Sequence, residues 1–245
     1  MWNQSINDGT MVTAGMLDLL PEPVQRYMRW TGVIGRPWIR TAGVRQKGRF
    51  RLAADKPWLP LEAEQIFTVD PPGFAWRARF KMYGLSLLSA HDSYRDGQGH
   101  MLGKVAGLIT LFDDRSEKLT QGTLIRYLSE MIWFPVAYLG DNVTWTAVDE
   151  QSADVALSDH GRIASGRVMF DEQGRPTSFE TMRYMEAGGE YTLQPWRVVN
   201  REFGPRDGLN IPVRCDVSWI LSEGLLTYGE FHIVEVAYNR PGDAL

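Results

Sequence analysis

From Trp38 onward the chain is dominated by short runs in which apolar and polar residues alternate. In "IRTAGVRQKGRFRL", Val44, Phe50 and Leu52 oppose Arg45, Lys47, Arg49 and Arg51, the period of two expected of a strand with one wet face. "LEAEQIFTV" and "FAWRARFKMYG" flank "DPPG", and two runs rich in aromatic and β-branched residues around such a turn predict a hairpin. "SAHDSYRDGQGHMLGKVAGLITL" has Asp96-Gly97 at its middle, the favoured pair for a tight reversal, and predicts another. Beyond residue 140 come "VTWTAV", "ADVALSD", "RIASGRVMFD", "SFETMRYME", "YTLQPWRVVNREFG", "LNIPVRCDVSWIL" and "YGEFHIVEVAY". Turn signals such as "DEQG", "AGG" and "PRDG" separate them about every 8 to 15 residues.

Two segments carry helical spacing instead. In "LPEPVQRYMRWTGV", Pro21 and Pro23 suit a helix start, Val24, Tyr27 and Met28 recur on one face, and Thr31-Gly32 ends the pattern. "GTLIRYLSEMIWFPVAYLG", from Gly122 to Gly140, reads as one long and mostly apolar helix. So many serial strands cannot stay flat, so the fold class expected is mainly β (α+β): a single curled antiparallel sheet, half-barrel or barrel-like, with a few covering helices. The domain is expected over 19–240, after an N-terminal tail at 1–18, with the long helix as a lid at the sheet's mouth. No linker or internal repeat divides it.

At 245 residues, with 44% hydrophobic and 23% charged residues, the chain can bury a sizeable core, which excludes disorder. A net charge of -4 gives no basic excess for tracking phosphates, so no nucleic acid partner is expected. The single cysteine, Cys215, excludes an internal disulfide and a thiol-rich metal cluster within one chain. With no signal peptide, anchor or membrane span visible, a cytoplasmic location is expected. His91, His100, His160 and His232 lack ligand spacing, so no metal site is expected. No Walker loop, dinucleotide fingerprint or G-x-S-x-G elbow is present, so no cofactor is expected.

Candidate chemistry concentrates on the long helix. On a wheel of about 100° per residue, Thr123, Arg126, Glu130, Trp133 and Ala137 form one stripe, opposite Leu124, Leu128, Met131 and Pro135. Arg126 and Glu130 are either a solvated i,i+4 pair of small energetic weight or two charges lowered into an apolar cavity, where burial would perturb Glu130. Two carboxylates on one face of "EAEQ", Glu62 and Glu64, are either a wet strand face or a proton-sharing or cation-binding pair. Tryptophans recur in different elements beside polar neighbours: Trp76, Trp133, Trp145, Trp196 and Trp219. Each can be core packing, and together they favour a planar or apolar ligand.

The segments "LPEPVQRYMRWTGV", "EAEQIFTVDPPGFAWRA", "RYLSEMIWFP" and "DGLNIPV" followed by "SWIL" resemble the signature segments of a bacterial family of unknown function, over about residues 19 to 239. By overall pattern that family is similar to the curled half-barrels of lipoprotein carriers. The resemblance implies no reaction; its motif positions here include Glu62, Glu64, Gln65, Pro71, Pro72, Gly73, Trp76, Arg126, Tyr127, Glu130, Trp133 and Pro135. Relatives often carry hydrophobic segments ahead of the "LPEPV" helix that this chain lacks, which argues against a role at the envelope. The expected function is binding of an apolar or aromatic small molecule in a cavity of the sheet, with Trp133, Trp76, Trp145, Glu64 and Trp219 as ligand-binding residues. The alternative is a cofactor-independent acid/base enzyme in which Glu130 is the general acid or base and Arg126 and Tyr127 stabilise negative charge. A third class is a protein-interaction module pairing through a sheet edge.

Overall fold

The computed structural model describes residues 9–82 and 85–240; residues 1–8 of the expected tail and Tyr83-Gly84 of the expected β hairpin lie outside them. Thirteen strands are described: β1 (Thr41–Phe50), β2 (Leu59–Thr68), β3 (Gly73–Met82), β4 (Leu85–Arg95), β5 (Gln98–Val105), β6 (Ile109–Asp114), β7 (Val143–Asp149), β8 (Ser152–Asp159), β9 (Arg162–Phe170), β10 (Pro176–Ala187), β11 (Glu190–Arg206), β12 (Leu209–Leu221) and β13 (Gly224–Tyr238). They form one antiparallel sheet in the order β6-β5-β4-β3-β2-β1-β13-β12-β11-β10-β9-β8-β7. Apart from β1 against β13, every pairing joins strands adjacent in sequence, and β6 and β7, separated by α2, form the two edges, so local turns set most of the topology. The Asp96-Gly97 turn has both residues in the left-handed region, at φ 50° and 76°, as a tight hairpin reversal requires.

α1 (Glu22–Thr31) begins after Pro21 and stops at Gly32, whose φ of 74° is the left-handed conformation that ends helices. It buries Val24, Tyr27 and Met28, the face its spacing predicts. Val12 and Leu17 are also buried, so packing against the domain begins ahead of Leu19. α2 (Glu117–Glu130) starts at Ser116, whose Oγ accepts from the Leu119 N–H at 3.2 Å.

The long helix differs from expectation in two ways. It begins earlier and ends at Glu130, giving way to 3-10 turns at Met131–Trp133 and Pro135–Leu139. Pro135 is the cause: it lacks an N–H and forces Phe134 out of the helical region, to φ -141° and ψ 69°. Nor does α2 sit as a lid at the mouth. It lies within the curl, touching β4 and β5 on one side and β9 and β10 on the other. The arms of the sheet meet beside it, where the Tyr94 hydroxyl donates to Asp159 at 2.6 Å. Thr120, Gly122–Ile125 and Tyr127–Ser129 are buried, and Met131–Tyr138 continue the core.

Candidate functional site

Strand periodicity places the first cluster. Along β2, Ala63, Gln65 and Phe67 face inward while Glu62 and Glu64 face out. Register then sets Gln65 of β2 beside Trp76 of β3 and Trp76 beside Asp92 of β4, a row of three inward side chains beneath α2. Arg126 descends onto this row. Its Nη1 donates to Asp92 Oδ2 at 2.6 Å and its Nε to Glu130 Oε1 at 2.9 Å, and its guanidinium lies 4.7 Å from the Trp76 ring centre and 5.1 Å from that of Phe74. Gln65 Nε2 donates to Glu130 Oε2 at 2.7 Å, Gln46 Nε2 to Gln65 Oε1 at 3.0 Å, and Trp76 Nε1 to Gln46 Oε1 at 3.2 Å.

The side chains of Arg126, Glu130 and Asp92 are 15%, 13% and 5% exposed, so the pair is buried rather than solvated. Two carboxylates share one guanidinium. Burial, which disfavours the ion, pushes Glu130 above the usual carboxylate range; the charge and hydrogen bond of Arg126 and the Gln65 amide oppose the shift without cancelling it. Burial also opposes the charge on Arg126, but Glu130 and Asp92 outweigh it and the guanidinium holds its proton more tightly than usual. Asp92 Oδ1 is buried with no hydrogen-bond partner among the described residues. The network joins α2 to four strands, β1 to β4, and is a strong pin for the helix.

Other expected site residues are dispersed. Tyr127 turns away from Arg126: its hydroxyl donates to the Thr68 carbonyl at 2.7 Å and its ring packs against Phe67 and Phe134. Burial pushes its pKa well above the ordinary value, leaving a neutral core phenol. Trp133 is buried with its ring 6.3 Å from Phe67. Trp145, half-buried on the edge strand β7, donates to the Tyr138 carbonyl at 3.3 Å. Glu64 does not join the interior candidates, because the alternation that turns Gln65 inward turns Glu64 to the outer face.

A second cluster was only partly anticipated, through Trp196 and Trp219. Arg183 of β10 donates through Nε to the Gly122 carbonyl of α2 at 3.0 Å and through Nη1 to the Tyr228 hydroxyl at 3.5 Å. Its guanidinium lies 4.9 Å from the Trp196 ring centre and 5.9 Å from that of Trp219. Trp196 Nε1 also donates to the Tyr228 hydroxyl, at 2.8 Å, and Trp219 stacks on Tyr228 at 6.0 Å.

Beside this cluster the wall of the sheet opens. β9 pairs with β10 only from Phe170↔Pro176 to Arg167↔Glu180; past Glu180, β10 runs on with β11 alone to Ala187↔Glu190. The side chains of Gln121 and Thr181 reach across the gap to the carbonyls of Ile163 and Ser165. Two adjoining grooves open to solvent here, about 480 Å³ and 550 Å³ in volume, and both are floored by Gln121 and Ile125 of α2 and bordered by Met182. Tyr184 and Leu193 line the first, and Ile163, Trp196 and Ile220 the second. The turn signals predicted hairpins but gave no sign that one of them splays.

Residues 10–231 match the family of unknown function DUF6544. The chain belongs to this family. No curated protein matches it in sequence. In structure it is similar to a domain assigned to outer membrane lipoprotein sorting from Vibrio parahaemolyticus, with 11% identity over 90% of this chain and 92% of that one and a TM-score of 0.51. It is also similar to a LolA-superfamily protein from Nitrosomonas europaea, with 10% identity over 92% and 93% of the two chains and a TM-score of 0.48. The first likeness shows that this family member has the curled-sheet fold of lipoprotein-carrier-like proteins. Among the described residues no helix is long and apolar enough to cross a membrane.

Proposed function

We propose that the chain binds an apolar or aromatic small molecule where its curled sheet opens between β9 and β10. The observation that carries this reading is the groove floored by Ile125. Its borders leave Ile163, Met182 and Leu193 62%, 47% and 50% exposed, with Glu117, Lys118, Asp154, Arg167 and Glu180 along the same rims. Apolar side chains held open in a concavity of this size suit a small ligand, which gains affinity by removing that surface from water. The interior of the curl offers less room, because α2 and the 3-10 turns fill it. A fold shared with a lipoprotein-sorting domain is compatible with this reading and does not carry it. The groove works equally in the cytoplasm, which the lone Cys215 suits, since no disulfide is needed.

Titration with N-phenyl-1-naphthylamine, a neutral fluorophore, tests the proposal. Saturable binding of one probe per chain, weakened by Met182→Glu or Leu193→Glu in folded protein, is expected. Binding that does not saturate, or that ignores both substitutions, refutes it.

One observation favours the acid/base alternative: Glu130 is a buried carboxylate held above its usual range. Glu130→Gln with binding and turnover both measured separates the readings. Retained binding with turnover down by about 10²-fold assigns Glu130 to chemistry.

A further inference from the structure

We propose that the hairpin of β5 and β6 docks the protein on an anionic membrane surface, with Leu108, Ile109, Leu111 and Phe112 entering the lipid and Arg79, Lys81 and Lys104 meeting the head groups. None of these residues lines the groove between β9 and β10, so the two readings stand or fall separately.

Turn geometry and register place the apolar part. The turn between β5 and β6 is tight: Ala106 and Gly107 lie in the left-handed region at φ 50° and 72°, and the Leu108 N–H donates to the Val105 carbonyl at 3.0 Å. Leu108, at the turn, is 87% exposed, and Ile109, Leu111 and Phe112 of β6 are 64%, 57% and 42% exposed. Register sets Ile109 at the end of a row that runs Leu61, Phe80, Leu88, Val105, Ile109 across β2 to β6. Leu61 and Phe80 are buried, Leu88 and Val105 half-buried and Ile109 open, so the apolar interior of the curl runs out onto this edge. Single exposed leucines are ordinary on a protein surface, whereas this unbroken run of large apolar side chains, interrupted only by Thr110, marks a contact surface.

Charge decides what this surface meets. On the other face of the sheet the register row is Lys47, Glu62, Arg79, Ser89, Lys104 and Thr110, with Lys81 two residues further along β3. Its carboxylate, Glu62, is taken by Lys81 at 3.1 Å, while Lys47, Arg79 and Lys104 have no carboxylate within 4 Å among the described residues. From Gln98 to Phe112 the chain has no acidic residue, although the protein carries a net charge of -4. A basic face beside an apolar turn complements an anionic lipid surface, where the apolar side chains leave water and the cations lie at the level of the phosphates. The rival occupant is the β6 edge of a second copy. Leu111 opposes it, because it is the extra residue of a bulge: β6 passes from Thr110 to Phe112 while β5 passes only from Lys104 to Gly103, and a bulge at an edge breaks the ladder that a new strand would need.

Co-sedimentation with sucrose-loaded vesicles tests the surface, one set made of equal parts phosphatidylglycerol and phosphatidylcholine and the other of phosphatidylcholine alone. Wild-type protein is expected to bind the anionic vesicles about tenfold or more tightly than the neutral ones, since each cation near such a surface is worth about fivefold and several take part. Leu108→Ser should weaken binding to the anionic vesicles by about tenfold, the worth of one leucine side chain taken out of water. Arg79→Glu combined with Lys104→Glu should remove the preference for anionic vesicles. An unchanged Tm shows that lost binding is not lost folding, and Leu111→Ser replaces Leu108→Ser if the latter lowers Tm. Binding to neither vesicle, equal binding to both, or a wild-type preference that survives these substitutions overturns the inference. So does a dimer in sedimentation velocity that Leu108→Ser dissociates, which would assign this edge to a second copy.

Discussion

Replacing Arg126 by methionine removes the cation that pairs with both Asp92 and Glu130 and leaves the two carboxylates in place. Methionine fills most of the arginine stem, so the change is chiefly one of charge. The lost contacts are two charge-assisted hydrogen bonds, at 2.6 Å and 2.9 Å, and the stacking over Trp76 and Phe74. Asp92 and Glu130 are then left buried, repelling each other, and breaking a buried pair in this way costs about 3–5 kcal/mol. Were the pair solvated, the cost would be a few tenths of a kcal/mol. For a domain of this size each kcal/mol lowers Tm by about 2–4 °C, so a fall of roughly 6–20 °C is expected. Urea unfolding followed by tryptophan emission gives the free energy directly, and circular dichroism gives Tm. The variant should recover part of the loss as pH falls toward 4.5, because Glu130, already held above its usual range and then without its counter-charge, takes up a proton and the repulsion is relieved. A loss under about 1 kcal/mol at pH 7, with no recovery in acid, would refute the assignment of this network as a buried pin.

Glu130→Gln tests the raised carboxylate from the other side. A raised folded pKa means that wild-type stability is present below the ordinary value of 4.5 and falls as pH rises from there through the folded value. The stability of the glutamine variant relative to wild type should therefore climb across that window and then level; a flat difference contradicts the shift. Tyr127→Phe should cost about 0.5–1.5 kcal/mol for its lost bond to Thr68 and leave probe binding unchanged, since it is remote from the groove in role; altered affinity without altered stability would restore it as a site residue. Cys215 is buried, and burial together with the nearby charges of Glu130 and Asp216 pushes its thiol upward, so a disulfide reagent should label it only after unfolding. Rapid labelling of native protein would show that β12 is open.

Much of the architecture was readable because it is local. Alternation in β1, the Asp96-Gly97 turn and the proline-led start of α1 each depend on a few consecutive residues, and nearly every strand pairs with its sequence neighbour. The end of α2 was readable in principle, since Pro135 already restricts Phe134; the apolar character of Ile132–Leu139 masked it. What the chain could not disclose by pattern is what the curl brings together. Period two put Asp92 and Tyr94 on one face, yet only closure of the sheet sets Asp92 under Arg126 and Tyr94 against Asp159. The same alternation shows why Glu64 fails as an interior candidate once Gln65 is known to face inward. Arg183 gave no signal at all, because in sequence it is one more charged residue in an alternating strand, and its place beside Trp196, Trp219 and Tyr228 exists only in three dimensions.

The groove is the central claim, and methyl NMR titration with dodecanol locates a bound apolar chain most directly. Stoichiometric shifts should cluster on the methyl groups of Ile125, Ile163, Met182 and Leu193, with those of Val44 and Ile233 deep in the core unmoved. Absence of saturable shifts, or saturable shifts confined to methyls away from the opening between β9 and β10, would contradict the account.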